Sequence, residues 1–190
     1  MEDMEYIDLR KVGSEGLKEI RRQVVRLKKM GKTGKEIEEL TGVRQNRASE
    51  IWTALIRSKL ASTVQTAIAC GYTHFISEFA AGVDLMFAEI IADLKSSYEI
   101  TLEAAIPYPG RMKTPDMTFQ RLIRVCDIVK VHSAGYLKKC YMVRNRYMVD
   151  HSSLVIAVYD GREMGGTAAT VRYAMRKDLQ ICIIDTKLAK

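Results

Sequence analysis

The sequence predicts an α/β fold: a Rossmann-like parallel sheet of about five strands with helices on both faces, preceded by a small three-helix unit of helix-turn-helix type. Three observations carry this. Apolar residues in the first third recur only at helical spacing. From Lys59 onward, short apolar runs alternate with amphipathic stretches. Those runs are unbroken, as strands of a parallel sheet covered on both faces are.

The elements follow in order. Leu17, Ile20, Val24 and Leu27 mark a first helix opened at Gly13 or Ser14 and stopped at Gly31. Thr33 caps a short second helix, whose apolar positions are Ile37 and Leu40 and which Gly42 ends. A third helix starts near Gln45 with Ala48, Ile51, Trp52 and Leu55 on one face, and Trp52 to Ala69 reads as nearly continuous helix. Helix, short helix, glycine-containing turn and helix is the helix-turn-helix pattern. The expected division is residues 1–58 as this helical unit and 59–190 as the Rossmann-like domain. In the second part the strands are THFISEF, EITLEAAIP, DIVKVHS, SLVIAVYD and QICIIDT, with helices between them and a Pro/Gly/Lys-rich loop from Pro107 to Pro115.

Composition bounds the function. The 190 residues are 47% hydrophobic, enough for a packed core, and no apolar run approaches the roughly 20 residues of a membrane span. The start, MEDMEYIDLRK, is too polar for a secretory signal, so a cytoplasmic protein without a membrane partner is expected. The net charge of +7 permits a phosphate-bearing partner. It is spread evenly, with 13 basic against 10 acidic residues up to Ser58 and 17 against 13 after it. The sharper signal is local: eight cations from Lys18 to Lys35 face only Glu19 before Glu36. Cys70, Cys126, Cys140 and Cys182 form no CxxC pair and are expected to be reduced and largely buried. His74, His132 and His151 have no ligand spacing, so no metal is expected.

Ligands of an open parallel sheet sit beyond the carboxyl ends of its strands, so the loops there carry the chemistry. After THFISEF, Gly82 permits a tight turn and Asp84 begins a helix, either as its cap or to orient a ribose hydroxyl. After SLVIAVYD, Gly165, Gly166 and Thr167 open a helix whose free amides could cradle a phosphate; an ordinary glycine-rich turn is the alternative. Arg144 and Arg146 offer positive charge and Asn145 a tie between loops, unless all three lie on a solvated helix face.

The stretches FISEFAAGVDLMFAEIIADLK, AAIPYPG, RNRYMVDHSSLVIAVYDG and GGTAATVRYA, in that order, resemble the YpsA-like proteins of the SLOG superfamily of Rossmann-like nucleotide-binding domains. The resemblance covers about Lys59 to the C-terminus. It implies that Gly82, Asp84, Arg144, Asn145, Gly165, Gly166 and Thr167 line a ligand cleft for a nucleotide or nucleotide derivative, with no certain cofactor. Two departures stand out. The family's leading strand and its loop are replaced by helical sequence ending in TALIRSK, and its paired glycines after Ser77 are replaced by Glu78 and Phe79. A carboxylate and a ring there are expected to repel or block a phosphate.

Residues Ile7 to Ile56 resemble transposase- and resolvase-type helix-turn-helix segments. The resemblance implies that Arg44, Gln45, Asn46 and Arg47 enter the major groove of double-stranded DNA, Arg pairing with guanine and Gln or Asn with adenine. A helical bundle with merely solvated charges is the alternative, and Glu36, Glu38, Glu39 and Glu50 favour it. The leading expectation is a nucleotide-binding, ligand-responsive regulator. One alternative is a nucleotide N-glycosidase or phosphoribohydrolase using Asp84 or Asp160, with Arg144 and the Gly165–Gly166 amides on phosphate. Another is a DNA-binding protein whose Rossmann-like domain serves assembly. A sheet lacking a strand leaves open edges, and a homodimer is expected.

Overall fold

The computed structural model describes residues 6–187. By packing they divide into two compact units: one holds the chain up to Ser58 with Val158–Gly161 and the residues from Ile184, the other holds Lys59–Ala157 and Arg162–Ile183.

In the first unit a 3₁₀ turn, Leu9–Lys11, leads into α1 (Ser14–Lys29), α2 (Gly34–Thr41) and α3 (Gln45–Ala69), which runs on beyond Ser58. The Thr33 hydroxyl accepts from the Glu36 amide while the Glu36 carboxylate accepts from the Thr33 amide, a reciprocal cap that fixes the start of α2. Val24, Ile37, Val43 and Ala48 are fully buried together, with Leu9, Ile20, Leu27 and Ile51 packed around them. Each such aliphatic chain contributes about 1.5–3 kcal/mol by leaving water. Val43, a turn residue, therefore acts as a core residue. No helix among the described residues is long and apolar enough to cross a membrane.

The remaining elements are β1 (His74–Ser77), α4 (Val83–Leu94), β2 (Thr101–Ile106), a 3₁₀ turn at Pro109–Lys113, α5 (Met117–Ile123), β3 (Ile128–Val131), α6 (Cys140–Asp150), β4 (Leu154–Tyr159), α7 (Gly166–Arg176) and β5 (Gln180–Asp185). β1 and β2 run parallel with Phe75 opposite Leu102, and β2 and β3 run parallel with Ala104 opposite Val129. β2 lies between the other two, and its residues from Leu102 to Ile106 are all buried.

Three expectations need correction. The five strands do not form one sheet; β1, β2 and β3 make a three-stranded sheet, and β4 pairs with β5 in a separate two-stranded one. The reason lies ahead of β1, where α3 extends to Ala69 and a turn through Gly71 leads directly into His74, so no strand among the described residues is available to bridge the two sets. Nor is every strand covered on both faces. β3 is an edge strand exposed at all four positions, with Ile128, Val129 and Val131 each about 40% accessible. The cysteines also differ from expectation. All four are free, but only Cys140 is buried, while Cys70, just past the last residue of α3, is exposed.

The helix starts at Gly82 and Gly165 depend on backbone that only glycine adopts. Gly82 sits at φ 89° and ψ −119°, Gly165 at φ 117° and ψ 171°. A side chain in such regions costs about 1–3 kcal/mol. Gly165→Ala is therefore expected to destabilise the chain by that amount in urea denaturation, although no atom crowds the new Cβ closer than 4.0 Å. Gly166→Ala, at a position with open space and no positive φ, is expected to be neutral.

Candidate functional site

β1 ends at Ser77, and the chain turns through Glu78–Ala81 to Gly82, the N-cap of α4. The Ser77 hydroxyl ties this turn. It donates to the Asp84 carbonyl at 3.0 Å and accepts from the Phe79 amide at 3.3 Å. Phe79 takes a left-handed φ of 53°, and its ring is fully buried, edge-on to Phe119 of α5 with centroids 5.6 Å apart. The ring thus belongs to the core, not to the mouth of the loop.

Arg144 of α6 reaches this turn. Its guanidinium is only 4% exposed and is almost fully used. Nη1 donates to the Glu78 carbonyl at 2.6 Å and, more weakly, to the Ala105 carbonyl at 3.4 Å. Nη2 pairs with the Glu78 carboxylate at 2.7 Å, and Nε donates to the Asn145 side-chain oxygen at 2.7 Å. Glu78, read in the sequence as an obstacle, is the counter-ion of the site.

Asp84 lies inside the first turn of α4 rather than at its cap, and its carboxyl hydrogen-bonds to Glu78. Burial first, then the charge and hydrogen bond of Glu78, push its pKa up to about 8, with Arg144 pulling the other way. Near neutral pH the trio therefore carries one carboxylate, one carboxylic acid and one guanidinium, and is close to uncharged. The repulsion expected from an acidic residue at position 78 is cancelled.

From Arg144 the hydrogen bonds continue. The Asn145 amide donates to the Thr170 hydroxyl at 2.9 Å, and Thr170 donates to the Gly166 carbonyl at 3.0 Å. Both helices opening at this edge start from a glycine without a side-chain cap, so their first amides are left for another acceptor. Gly82, Gly165, Gly166 and Thr167 are exposed. The structure thus joins Asp84, Arg144, Asn145 and Gly166 through direct contacts and the Thr170 link. Asp160 lies past the end of β4 and packs with the first unit. Arg146 stacks over Tyr173 of α7 at 5.8 Å.

Sequence reading missed the support beneath the site. On β2, Glu103 is 3% exposed, and its carboxylate meets Nε2 of His74 at 2.8 Å and accepts from the Tyr147 hydroxyl at 2.7 Å. His132 and His151 stack against the Tyr147 ring with centroids 4.2 and 4.1 Å away, and Lys130 Nζ lies 4.1 Å from its centre. Burial, with Lys130 next, lowers the His132 pKa. Arg144 and Tyr147 fall three residues apart on α6, and His151, four further on, is the residue that caps its end. That spacing was a signal available in RNRYMVDH, and Glu103 inside an apolar strand was a second.

In the first unit Arg44, Gln45, Asn46 and Arg47 are all exposed. Arg44 lies over the Tyr6 ring at 5.0 Å and Arg47 pairs with Glu50. A groove of about 570 Å³ is lined by Arg10, Arg21, Arg44 and Arg47 among others.

Protonation of Asp84 has a measurable consequence. Between about pH 4 and pH 8 the unfolded chain ionises this group and the folded chain does not, so its contribution to stability falls as pH rises. Asp84→Asn is expected to gain on the wild type across that window and to hold a constant difference above it. Melting curves should separate by on the order of 4 °C, the shift that about 1–2 kcal/mol gives at this length. Glu78→Gln is expected to be destabilising by about 3–5 kcal/mol in urea denaturation at neutral pH, because it removes the carboxylate paired with a buried guanidinium.

Among curated proteins none matches the chain. The family model described as YspA SLOG family matches residues 33–187, so the match begins within the N-terminal helices, at the Thr33 cap of α2, and not only at Lys59. The glycine-started helices, the Arg144–Asn145 pair and the parallel strands that present them all lie inside that span, and the chain belongs to the YpsA-type SLOG family.

Proposed function

We propose that this protein binds a nucleotide or nucleotide derivative at the carboxyl edge of its sheet strands, with the phosphate on the free amides that open α7. The observation that carries the reading is the hydrogen-bonded run from Glu78 through Arg144, Asn145 and Thr170 to Gly166. It ties the start of α7 to the loop after β1 and sets the Glu78 carboxylate against Arg144. An anion at this point meets the amides and the positive end of α7. Membership of a SLOG family is compatible with this ligand class. The N-glycosidase alternative finds less support from Asp84, whose pKa of about 8 leaves it protonated at neutral pH, so it offers no negative charge to an oxocarbenium-like centre.

A second reading concerns the first unit. Exposed Arg44, Gln45, Asn46 and Arg47 at the start of α3, beside a groove that also carries Arg10 and Arg21, support contact with duplex DNA. A ligand in one unit and DNA at the other would make a ligand-responsive regulator. The open outer edges of β1 and β3 support pairing with a second copy.

AMP or ADP at about 100 times its dissociation constant is expected to stabilise the chain by about 2.7 kcal/mol, read as a thermal shift. Absence of any shift with nucleotides at millimolar concentration contradicts the reading. Duplex binding followed by fluorescence anisotropy is expected to weaken steeply with salt and to drop further in Arg44→Ala/Arg47→Ala. Binding unchanged by that pair of substitutions removes the second reading.

A further inference from the structure

Three tyrosines from separate segments meet at the same strand ends. Tyr108 follows the buried Pro107 at the end of β2, Tyr136 lies in the loop after β3, and Tyr141 is in the first turn of α6. The Tyr108 ring stands nearly perpendicular to both others, with centroids 5.4 Å from Tyr136 and 6.2 Å from Tyr141. Tyr108 and, behind it, burial raise the pKa of the Tyr141 hydroxyl, so the two phenols lie close enough to influence each other. Tyr136 is nevertheless 67% exposed and Tyr141 42%. The cluster adjoins the site, because the Arg144 guanidinium lies 5.8 Å from the centre of the Tyr141 ring.

A core does not need this arrangement. Aromatic rings that serve packing are covered, and these keep much of their surface in water beside a buried cation. Near-perpendicular contacts leave open ring faces, which are what a flat heterocycle stacks on. The hydroxyls of Tyr108 and Tyr136 and the guanidinium of Arg111, in the turn just after Tyr108, supply polar groups at the rim. From Tyr141 the contacts lead through Arg144, Asn145 and Thr170 to Gly166, so a ring subsite and a phosphate subsite lie along one continuous set of side chains.

We infer that Tyr108, Tyr136 and Tyr141 form a stacking subsite for the base of the nucleotide-like ligand. This rests on the binding reading above and adds to it the recognition of a planar heterocycle. Affinity then has two separable parts, one for the ring and one for the phosphate.

Isothermal titration of the full chain with AMP, adenosine and ribose 5-phosphate tests this. The expected result is that AMP binds at least tenfold more tightly than ribose 5-phosphate. Tyr136→Ala, at a largely exposed position, is expected to weaken AMP and adenosine about tenfold and to leave ribose 5-phosphate unchanged. Tyr136→Phe is expected to retain most of the affinity, since the ring and not the hydroxyl does the stacking. Equal affinity for AMP and ribose 5-phosphate, or equal losses for both in Tyr136→Ala, overturns the ring subsite while leaving the phosphate site standing. Adenosine binding that depends on Tyr136, with no binding of ribose 5-phosphate, keeps the ring subsite and removes the phosphate cradle. No binding of any of the three at millimolar concentration overturns both.

Discussion

A single buried cation organises this molecule's ligand edge. The Arg144 guanidinium is withdrawn from water, and a charge so placed is costly unless it is paired and its protons are accepted. The requirement is met by the Glu78 carboxylate, two backbone carbonyls and the Asn145 side chain. These partners come from three places: the loop after β1, the interior of β2, and α6 itself. Satisfying one guanidinium therefore fixes three elements against one another. It also bears on Asp84, whose pKa burial and then Glu78 push up to about 8 while Arg144 pulls the other way.

α6 is the element through which this is transmitted. Its face toward the sheet carries Arg144 and Tyr147, and Tyr147 reaches the equally buried Glu103 on the central strand. His74 from β1 completes the carboxylate's partners. One helix is thus held by two acids, half-buried Glu78 near the strand ends and buried Glu103 deeper along the central strand. The next residue after Arg144 passes the constraint to α7, where Asn145 meets Thr170. Apolar packing would hold such a helix more simply. The polar version sets its register, since a one-residue rotation would strand two carboxylates.

The elements themselves were legible in the sequence, because their signals are local. Thr33 with Glu36, Gly42, and the helical spacing from Leu17 to Leu27 all concern residues within a few positions of one another. The glycine-started entry to α7 was legible as a helix start for the same reason. What could not be read was assembly. An apolar run such as DIVKV looks the same whether its strand is central or at an edge, and β3 proved to be an edge. Nor does a run of strands say whether they make one sheet or two. Glu78 was misjudged because its cancelling charge lies 66 residues away. Phe79 was misjudged because its direction depends on a left-handed backbone that sequence does not announce. The Tyr147–Glu103–His74 set joins positions too far apart in the chain for any spacing rule.

The claim on which the account stands is that the acidic pair beside Arg144 holds a single negative charge at neutral pH. Carbon-13 NMR of the side-chain carboxyls, followed through a pH titration of the intact protein, observes this directly. The account predicts that the Asp84 carboxyl keeps its proton through neutrality and gives it up near pH 8. An Asp84 carboxyl that ionises in the ordinary range, near pH 4, would contradict it and restore an uncompensated negative charge to the edge where a phosphate is proposed to bind.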